Sequence, residues 1–280
     1  MFLNRALRFG VPAMVLSVMF AAAPASAQDA PPAVVVTGGL EFVNQYNFRG
    51  IRQNSEGVSI WPYVDFGFTP FRGDGGLKSV GINLGSWNAS HSQINSADFG
   101  TGNKWYESDV YATVGFGFSQ SALAFTYTSY TSPADLFTHV KELAVKLSYD
   151  DSGALGAAAL KPYALVAFEL ATEPGRYQAD AGLEAGRYLE VGIAPGITYS
   201  RASLAIPVKV GLSVGNYYEL DGVDNKFGFF SVGGLATVPM GSHFNVHGGV
   251  EFQALGDTTK ALNGGDGSQA IGSIGIGFAY

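Results

Sequence analysis

The sequence predicts an all-β fold: a transmembrane antiparallel β-barrel of about twelve strands, with ten or fourteen as near alternatives. Three observations carry this. The chain ends on Ile274-Gly-Ile276-Gly-Phe278-Ala-Tyr280, apolar at every second position and aromatic at the last, which is the pattern of a strand with one apolar face. It opens with the features of an export signal. Between the two, 38 glycines and 13% aromatic residues accompany only 14% charged residues, a composition poor in charge for a soluble domain and suited to a barrel whose outer face meets lipid.

Residues 1–27 read as a signal peptide, with Arg5 and Arg8 as the positive region, Val11 to Ala23 as the apolar stretch and Ala25-Ser26-Ala27 as the cleavage site. The expected mature protein is then a single barrel domain, residues 28–280. No later run approaches the length of a membrane-spanning helix. The chain has no cysteine, so no disulfide framework, thiol nucleophile or thiolate metal site is open to it. Removing Arg5 and Arg8 leaves 14 basic against 23 acidic residues, a net charge of −9, which argues against a nucleic-acid partner.

Alternation then places the strands in order. Residues 34–46 set Val36, Leu40 and Phe42 against Glu41 and Gln45; 58–68 sets Val58, Ile60, Val64, Phe66 and Phe68 against Ser59 and Asp65. Residues 78–88 repeat the pattern through Val80, Ile82 and Leu84. The segment 105–118 is the longest and most regular, with Val110, Ala112, Val114, Phe116 and Phe118 opposite Glu107, Asp109, Tyr111 and Thr113. Candidates follow at 122–130, 140–149, 161–171, 187–194, 205–214 and 227–238. Of these, 161–171 has a helical alternative over 154–170, but Pro162 and its Tyr, Val and Phe content favour a strand. In 243–253, Phe244, Val246, Gly248, Val250 and Phe252 share a face; 270–280 closes the set. Lipid-facing positions should include Phe66, Val110, Val114, Phe116, Val246, Val250, Ile276 and Phe278.

Connections supply the orientation. If the first strand runs outward, one set of turns lies near 69–77, 119–121, 150–160, 195–204 and 239–242; the other, longer on average, lies near 47–57, 89–104, 131–139, 172–186, 215–226 and 254–269. Short periplasmic turns and longer outer loops are the outer-membrane pattern. Aromatics collect at strand ends (Trp61, Tyr63, Trp87, Trp105, Tyr106, Tyr127, Tyr130, Tyr149, Tyr217 and Tyr218), where they are expected to form interfacial girdles.

The same reading yields no catalytic, cofactor or metal residues. His243 and His247 share a strand face but stand about 13 Å apart, too far to chelate one ion. No Gly-x-Ser-x-Gly elbow or His-x-Ser element is present, so no nucleophile, base and orienting group assemble. Asp98 and Glu107 bracket an outer loop without a histidine partner in a matching motif. Glu219, Asp221, Asp224 and Asn225 make another loop acidic without calcium-loop spacing. The charged residues that remain suit a lumen: Glu107, Asp109 and Glu251 opposite Lys146 or Lys209, with His247 nearby. Glu41, Asp65 and Glu169 add to the acidic excess, which should favour cations in a narrow passage. Arg49 and Arg52, if folded inward, would offset part of it.

The segment Tyr46-Asn47-Phe48-Arg49-Gly50-Ile51-Arg52-Gln53 resembles the Tyr-x-Phe-Arg-Gly-x-x-Gln stretch near the mature N-terminus of the TorF-like porins of proteobacterial outer membranes, with Tyr46, Phe48, Arg49, Gly50 and Gln53 as the matching positions. Trp87-Asn88, Trp105-Tyr106-Glu107-Ser108-Asp109 and the last strand are similar too, so the likeness is strongest over residues 40–112. Arg52 departs from the small polar residue commoner there. The resemblance implies passive passage across an outer membrane.

The expectation is therefore a porin-like channel for small hydrophilic solutes or ions, placed in the cell outer membrane of a Gram-negative bacterium. Its partners would be outer-membrane lipid, lipopolysaccharide and the barrel-assembly machinery, which reads the strand ending at Tyr280. The rival classes are a structural or adhesive barrel without an open pore and an outer-membrane hydrolase.

Overall fold

Every strand predicted from alternation is present, and each pairs antiparallel with its neighbour in sequence. The computed structural model describes residues 34–93, 104–170 and 184–280; the expected signal peptide and Asp98 lie outside the described residues. The strands are β1 (Val34–Val43), β2 (Ser59–Arg72), β3 (Ser79–His91), β4 (Trp105–Gly117), β5 (Ser121–Thr131) and β6 (Val140–Tyr149). They continue as β7 (Tyr163–Glu169), β8 (Arg187–Ile193), β9 (Val208–Gly215), β10 (Phe227–Met240), β11 (Phe244–Leu255) and β12 (Ser268–Ala279). β12 pairs back onto β1 from Thr37↔Ala279 to Val43↔Ser273, which closes the cylinder. Reciprocal backbone hydrogen bonds of 2.9 Å between Val36 and Tyr280 extend that seam by one step. Closure leaves no strand of the cylinder with an unpaired edge, the condition for a sheet to stand in hydrocarbon.

The period of two decides which side chains meet lipid. Phe66, Val110, Val114, Val250 and Ile276 are all exposed on the outer face. Phe116, Val246 and Phe278 have the same parity but are half-buried. Odd-numbered neighbours on the same strands, such as Asp65, Asp109 and Thr113, turn inward and are buried.

Several boundaries differ from the sequence reading. β1 stops at Val43 because the chain turns into the lumen and forms a hairpin, Tyr46–Phe48 with Ile51–Asn54. β2 and β10 run to Arg72 and Met240, past the expected ends. Residues 150–162 wind into a short helix (Ser152–Leu155) and a 3₁₀ turn (Gly156–Ala158) before β7, so helix is confined to the start of the ambiguous stretch. The connection expected at 195–204 is a second hairpin, Gly196–Tyr199 with Ala202–Ala205, whose second strand pairs with β10 at Ser203↔Thr237 to Ala205↔Leu235. Pro195 and Pro207, which have no N–H to give a ladder, separate this hairpin from β8 and β9.

The core lies inside the cylinder, toward the end with the long loops. One cluster joins Phe48 and Ile51 of the first hairpin to Tyr130, Leu165, Tyr188, Tyr217, Tyr218 and Phe229. A second joins Val43 and Tyr46 to Trp61, Trp87, Tyr106 and Leu136. The expected girdle is corrected accordingly. Trp105, Tyr127 and Tyr149 are exposed, but Trp61, Trp87, Tyr106, Tyr130, Tyr217 and Tyr218 are buried in the lumen, with Tyr63 packed beside them. Strand parity requires this of Trp61 and Tyr63, which share the face of Asp65.

Candidate functional site

The hairpin at residues 46–54 is the feature around which the lumen is built. Its turn, Arg49-Gly50, has φ of +47° and +85°, the left-handed pair of a type I′ turn. Glycine adopts that backbone freely, whereas Arg49 bears a steric penalty that its surroundings must offset. They do so on every side. Arg49 Nη1 and Nη2 donate to Glu142 Oε2 and Oε1 at 2.7 and 2.9 Å, and Nη1 also donates to the Tyr217 hydroxyl at 2.8 Å. The guanidinium carbon sits 4.7, 4.1 and 5.1 Å from the ring centres of Phe48, Tyr188 and Tyr217. A planar, delocalised cation suits such a fork-and-stack site where lysine would not. Burial works against the Arg49 charge, but the adjacent Glu142 outweighs it and pushes the guanidinium pKa further up. Burial likewise raises that of the Tyr217 hydroxyl.

The hairpin backbone is held as well. Tyr218 Oη donates to the Arg49 carbonyl at 2.9 Å; Asn263 Nδ2 and Gln269 Nε2 donate to the Gly50 carbonyl at 2.7 and 3.2 Å. Arg52 N–H donates to Asn263 Oδ1 at 2.7 Å, and its guanidinium reaches Asp266 at 2.8 Å. Asn263 caps the last helix, Asp257–Leu262, so two outer connections grip the hairpin. All five positions of the Tyr46–Gln53 motif are accounted for: Tyr46, Phe48, Arg49 and Gln53 are buried, and Gly50 forms the turn.

The predicted lumen residues do face inward, but they divide into two groups. Glu107 and Asp109 lie beneath the hairpin, essentially without solvent exposure. Glu107 Oε2 accepts from the Tyr46 hydroxyl at 2.8 Å. Glu107 Oε1 and Asp109 Oδ1 are buried without a hydrogen-bond donor. These two acids therefore belong to the floor of the plug and do not line water, which corrects their expected place as the leading field-setting pair.

The other group forms a polar layer nearer the short turns. Lys209 Nζ lies 3.7 Å from Glu251 Oε1, both side chains about 30% exposed (28% and 31%). Ser231 and Gln253 also donate to Glu251, at 2.6 and 2.8 Å. Lys146 does not reach Glu107 or Asp109 but lies 4.5 Å above the ring of Tyr163, whose hydroxyl donates to Glu190 at 2.8 Å. Glu190 accepts from Tyr188 too, at 2.7 Å. His247 bridges Glu41 at 3.0 Å and Asn245 at 2.8 Å.

Sequence reasoning missed Glu142, Glu190 and the tyrosines that serve them. Lys141 and Glu142 take opposite faces of β6, Lys141 exposed and Glu142 buried, but nothing local marked Glu142 as the partner of Arg49. Sequence reasoning also missed a contact between Ser59 Oγ and His91 Nδ1, 2.6 Å apart and directly paired across β2 and β3. Both are buried, the His91 ring packs against Tyr46 and Tyr106, and His91 Nε2 has no partner. The acidic outer loop is a small hairpin, Glu219–Leu220 with Val223–Asp224, in which Asp224 accepts from Lys226 Nζ and the Asn216 N–H. Burial alone would raise its pKa, but these donors and the Lys226 charge hold it below the usual carboxylate range. Among the described residues no group of three or more histidines and carboxylates is placed to hold a metal ion.

The chain matches no protein-family model and no curated protein. Solved structures do resemble it. An outer membrane channel from Pseudomonas putida F1 aligns with 91% of this chain and 98% of its own at 11% identity, TM-score 0.52. The translocator domain of the autotransporter NalP from Neisseria meningitidis covers 89% of each chain at 12% identity and TM-score 0.44. Outer membrane phospholipase A from Escherichia coli covers 86% and 92% at 10% identity and TM-score 0.43. Identities this low carry fold and not activity. A closed cylinder of twelve antiparallel strands, apolar outside and filled with polar and aromatic side chains within, with connections shorter on average at one end than at the other, is an outer-membrane β-barrel.

Proposed function

We propose that this barrel is a passive channel for small hydrophilic solutes, cations before anions, whose outer mouth the Arg49 hairpin closes in the conformation described. The observation that carries this is the division of the lumen. Its outer part is filled by buried aromatic and polar side chains, while Lys209, Glu251 and Glu41 beneath it remain partly exposed. Twelve strands enclose more than side chains alone fill in an eight-stranded barrel and less than a general porin leaves open. The hairpin is held by apolar as well as polar contacts, but it is no strand of the cylinder, so it can withdraw without opening the wall. The likeness of Tyr46–Gln53 to the TorF-like porins supports the same reading, because those positions are the closing element itself.

The aromatic plug also favours a second reading, a structural barrel that never opens. The reading includes no hydrolytic activity: Ser59 and His91 are buried, with no orienting group on His91 Nε2. Planar-bilayer recording decides between channel and structural barrel. A barrel in which residues 46–54 are replaced by a short Gly/Ser linker, shown folded by its heat-dependent gel mobility, should conduct steadily where the intact chain is mostly closed. Silence from that variant would leave the structural reading.

A further inference from the structure

We infer that the periplasmic rim between the 196–205 hairpin and β10–β12 is a docking site for an anionic glycerophospholipid of the inner leaflet. A groove of about 590 Å³ opens there, lined by Arg201, Met240, Phe244, Val246 and Ile276 among others. Met240, Phe244 and Ile276 are exposed and, with Val246, lie on the lipid-facing side of their strands, so the groove meets acyl chains. Arg201 stands at the tip of the hairpin. Continuing the register from Ser203↔Thr237 sets it level with Pro239, next to the tight turn at 241–243. That is headgroup depth at the end of the barrel where the short turns lie.

The charge around the groove is one-sided. Residues 191–218, 225–250 and 267–280 contain no Asp or Glu, although the whole chain carries 23 acidic residues against 16 basic ones. Arg201 makes no ion pair among the described residues. A basic side chain above an apolar slot, in a sector cleared of acidic side chains, fits a phosphodiester with an acyl tail and gives a zwitterionic headgroup less advantage. The lipid A of the outer leaflet lies at the opposite end of the barrel. This site is independent of whether the pore opens.

The test is native mass spectrometry of the delipidated intact barrel with dioleoyl phosphatidylglycerol or dioleoyl phosphatidylcholine. The wild type should retain phosphatidylglycerol roughly fivefold better, the scale of one basic residue at an anionic surface. Arg201→Ala should bring the ratio to about one, and Phe244→Ser should weaken both lipids alike. Lys78→Ala, at another inner turn, serves as control and should keep the preference. Equal retention of the two lipids by the wild type, or an unchanged ratio in Arg201→Ala, would overturn the assignment.

Discussion

Arg49 and Glu142, separated by 93 residues of chain, form a two-point ion pair whose side chains are only 3% and 4% exposed. The pair ties the tip of the lumenal hairpin to the wall at β6. A charge left alone in such a place costs about 3–5 kcal/mol, whereas removing both partners costs far less. Arg49→Met and Glu142→Gln should therefore each loosen the hairpin, seen as trypsin cleavage at Arg52 and longer open times in bilayers. Arg49→Met combined with Glu142→Leu should be more closed than Glu142→Gln alone. If both single variants stay protected and silent, the ion pair is not what holds the hairpin.

Tyr111 lies flat across Gly85, its direct cross-strand partner on the lumen face. A Cβ at Gly85 would come 2.4 Å from the ring, closer than any real contact. The same pairing recurs at Tyr63 over Gly39 and Tyr163 over Gly192, each directly opposite in register. Gly85→Ala should destabilise the barrel by about 1–3 kcal/mol through overpacking. Adding Tyr111→Ser should recover most of that loss in urea unfolding. A double variant no better than Gly85→Ala would place the strain elsewhere.

These features differ in how far the sequence showed them. Alternation located all twelve strands because each side of a barrel wall imposes its own solvent on every second residue, and that pressure is local. Parity even contained the inward aromatics, since Trp61, Tyr63 and Asp65 cannot point to different sides of one strand. What a single strand does not encode is which inward residues meet across the lumen. Glu142 finds Arg49, and Glu190 finds Tyr163 and Tyr188, only after the cylinder closes and the hairpin enters it. The interfacial reading failed for the inward aromatics, though not for Trp105, Tyr127 and Tyr149, for the same reason: a ring at a strand end suits a girdle or a plug equally until another segment occupies the lumen.

Selectivity should follow the acids that remain in water. Glu107 and Asp109 are sealed beneath Tyr46, so their field acts mainly on the plug, whereas Glu41 and Glu251 border the wet part of the lumen. In a hairpin-deleted barrel, reversal potentials in a salt gradient should show cation preference. Glu41→Gln with Glu251→Gln should lower it and leave Lys209 to attract anions. Unchanged reversal potentials in that double variant would remove these two residues from the selectivity path.

Acid should loosen the inner turn after β6. Asp151 accepts the Leu160 and Lys161 backbone N–H groups at 3.0 and 2.9 Å, and the Lys161 N–H is the largest influence holding its pKa below the usual value. A folded pKa lower than the unfolded one stabilises the turn fully above the ordinary carboxylate range, and the effect is lost as pH falls through the folded value. Hydrogen exchange at Leu160 and Lys161, corrected for intrinsic rates, should therefore lose protection below about pH 4. Asp151→Ala should show that loss at neutral pH. Protection independent of both pH and the side chain would mean that the turn is held by its backbone alone.

The outer face gives the last prediction. Val250 is 71% exposed in the middle of β11, flanked by Gly249 and Glu251, and its side chain points away from the lumen that Glu251 lines. In a bilayer that exposure is to hydrocarbon. Val250→Arg should destabilise the barrel by about 2–4 kcal/mol if Val250 sits near the midplane, falling toward zero for a site at the interface. Glu251→Arg, one residue along and facing water, should cost less of the fold while disturbing the Lys209 contact. Comparing guanidinium unfolding of the two in phospholipid vesicles separates the faces. A smaller loss from Val250→Arg than from Glu251→Arg would reverse the assignment of inside and outside on this strand.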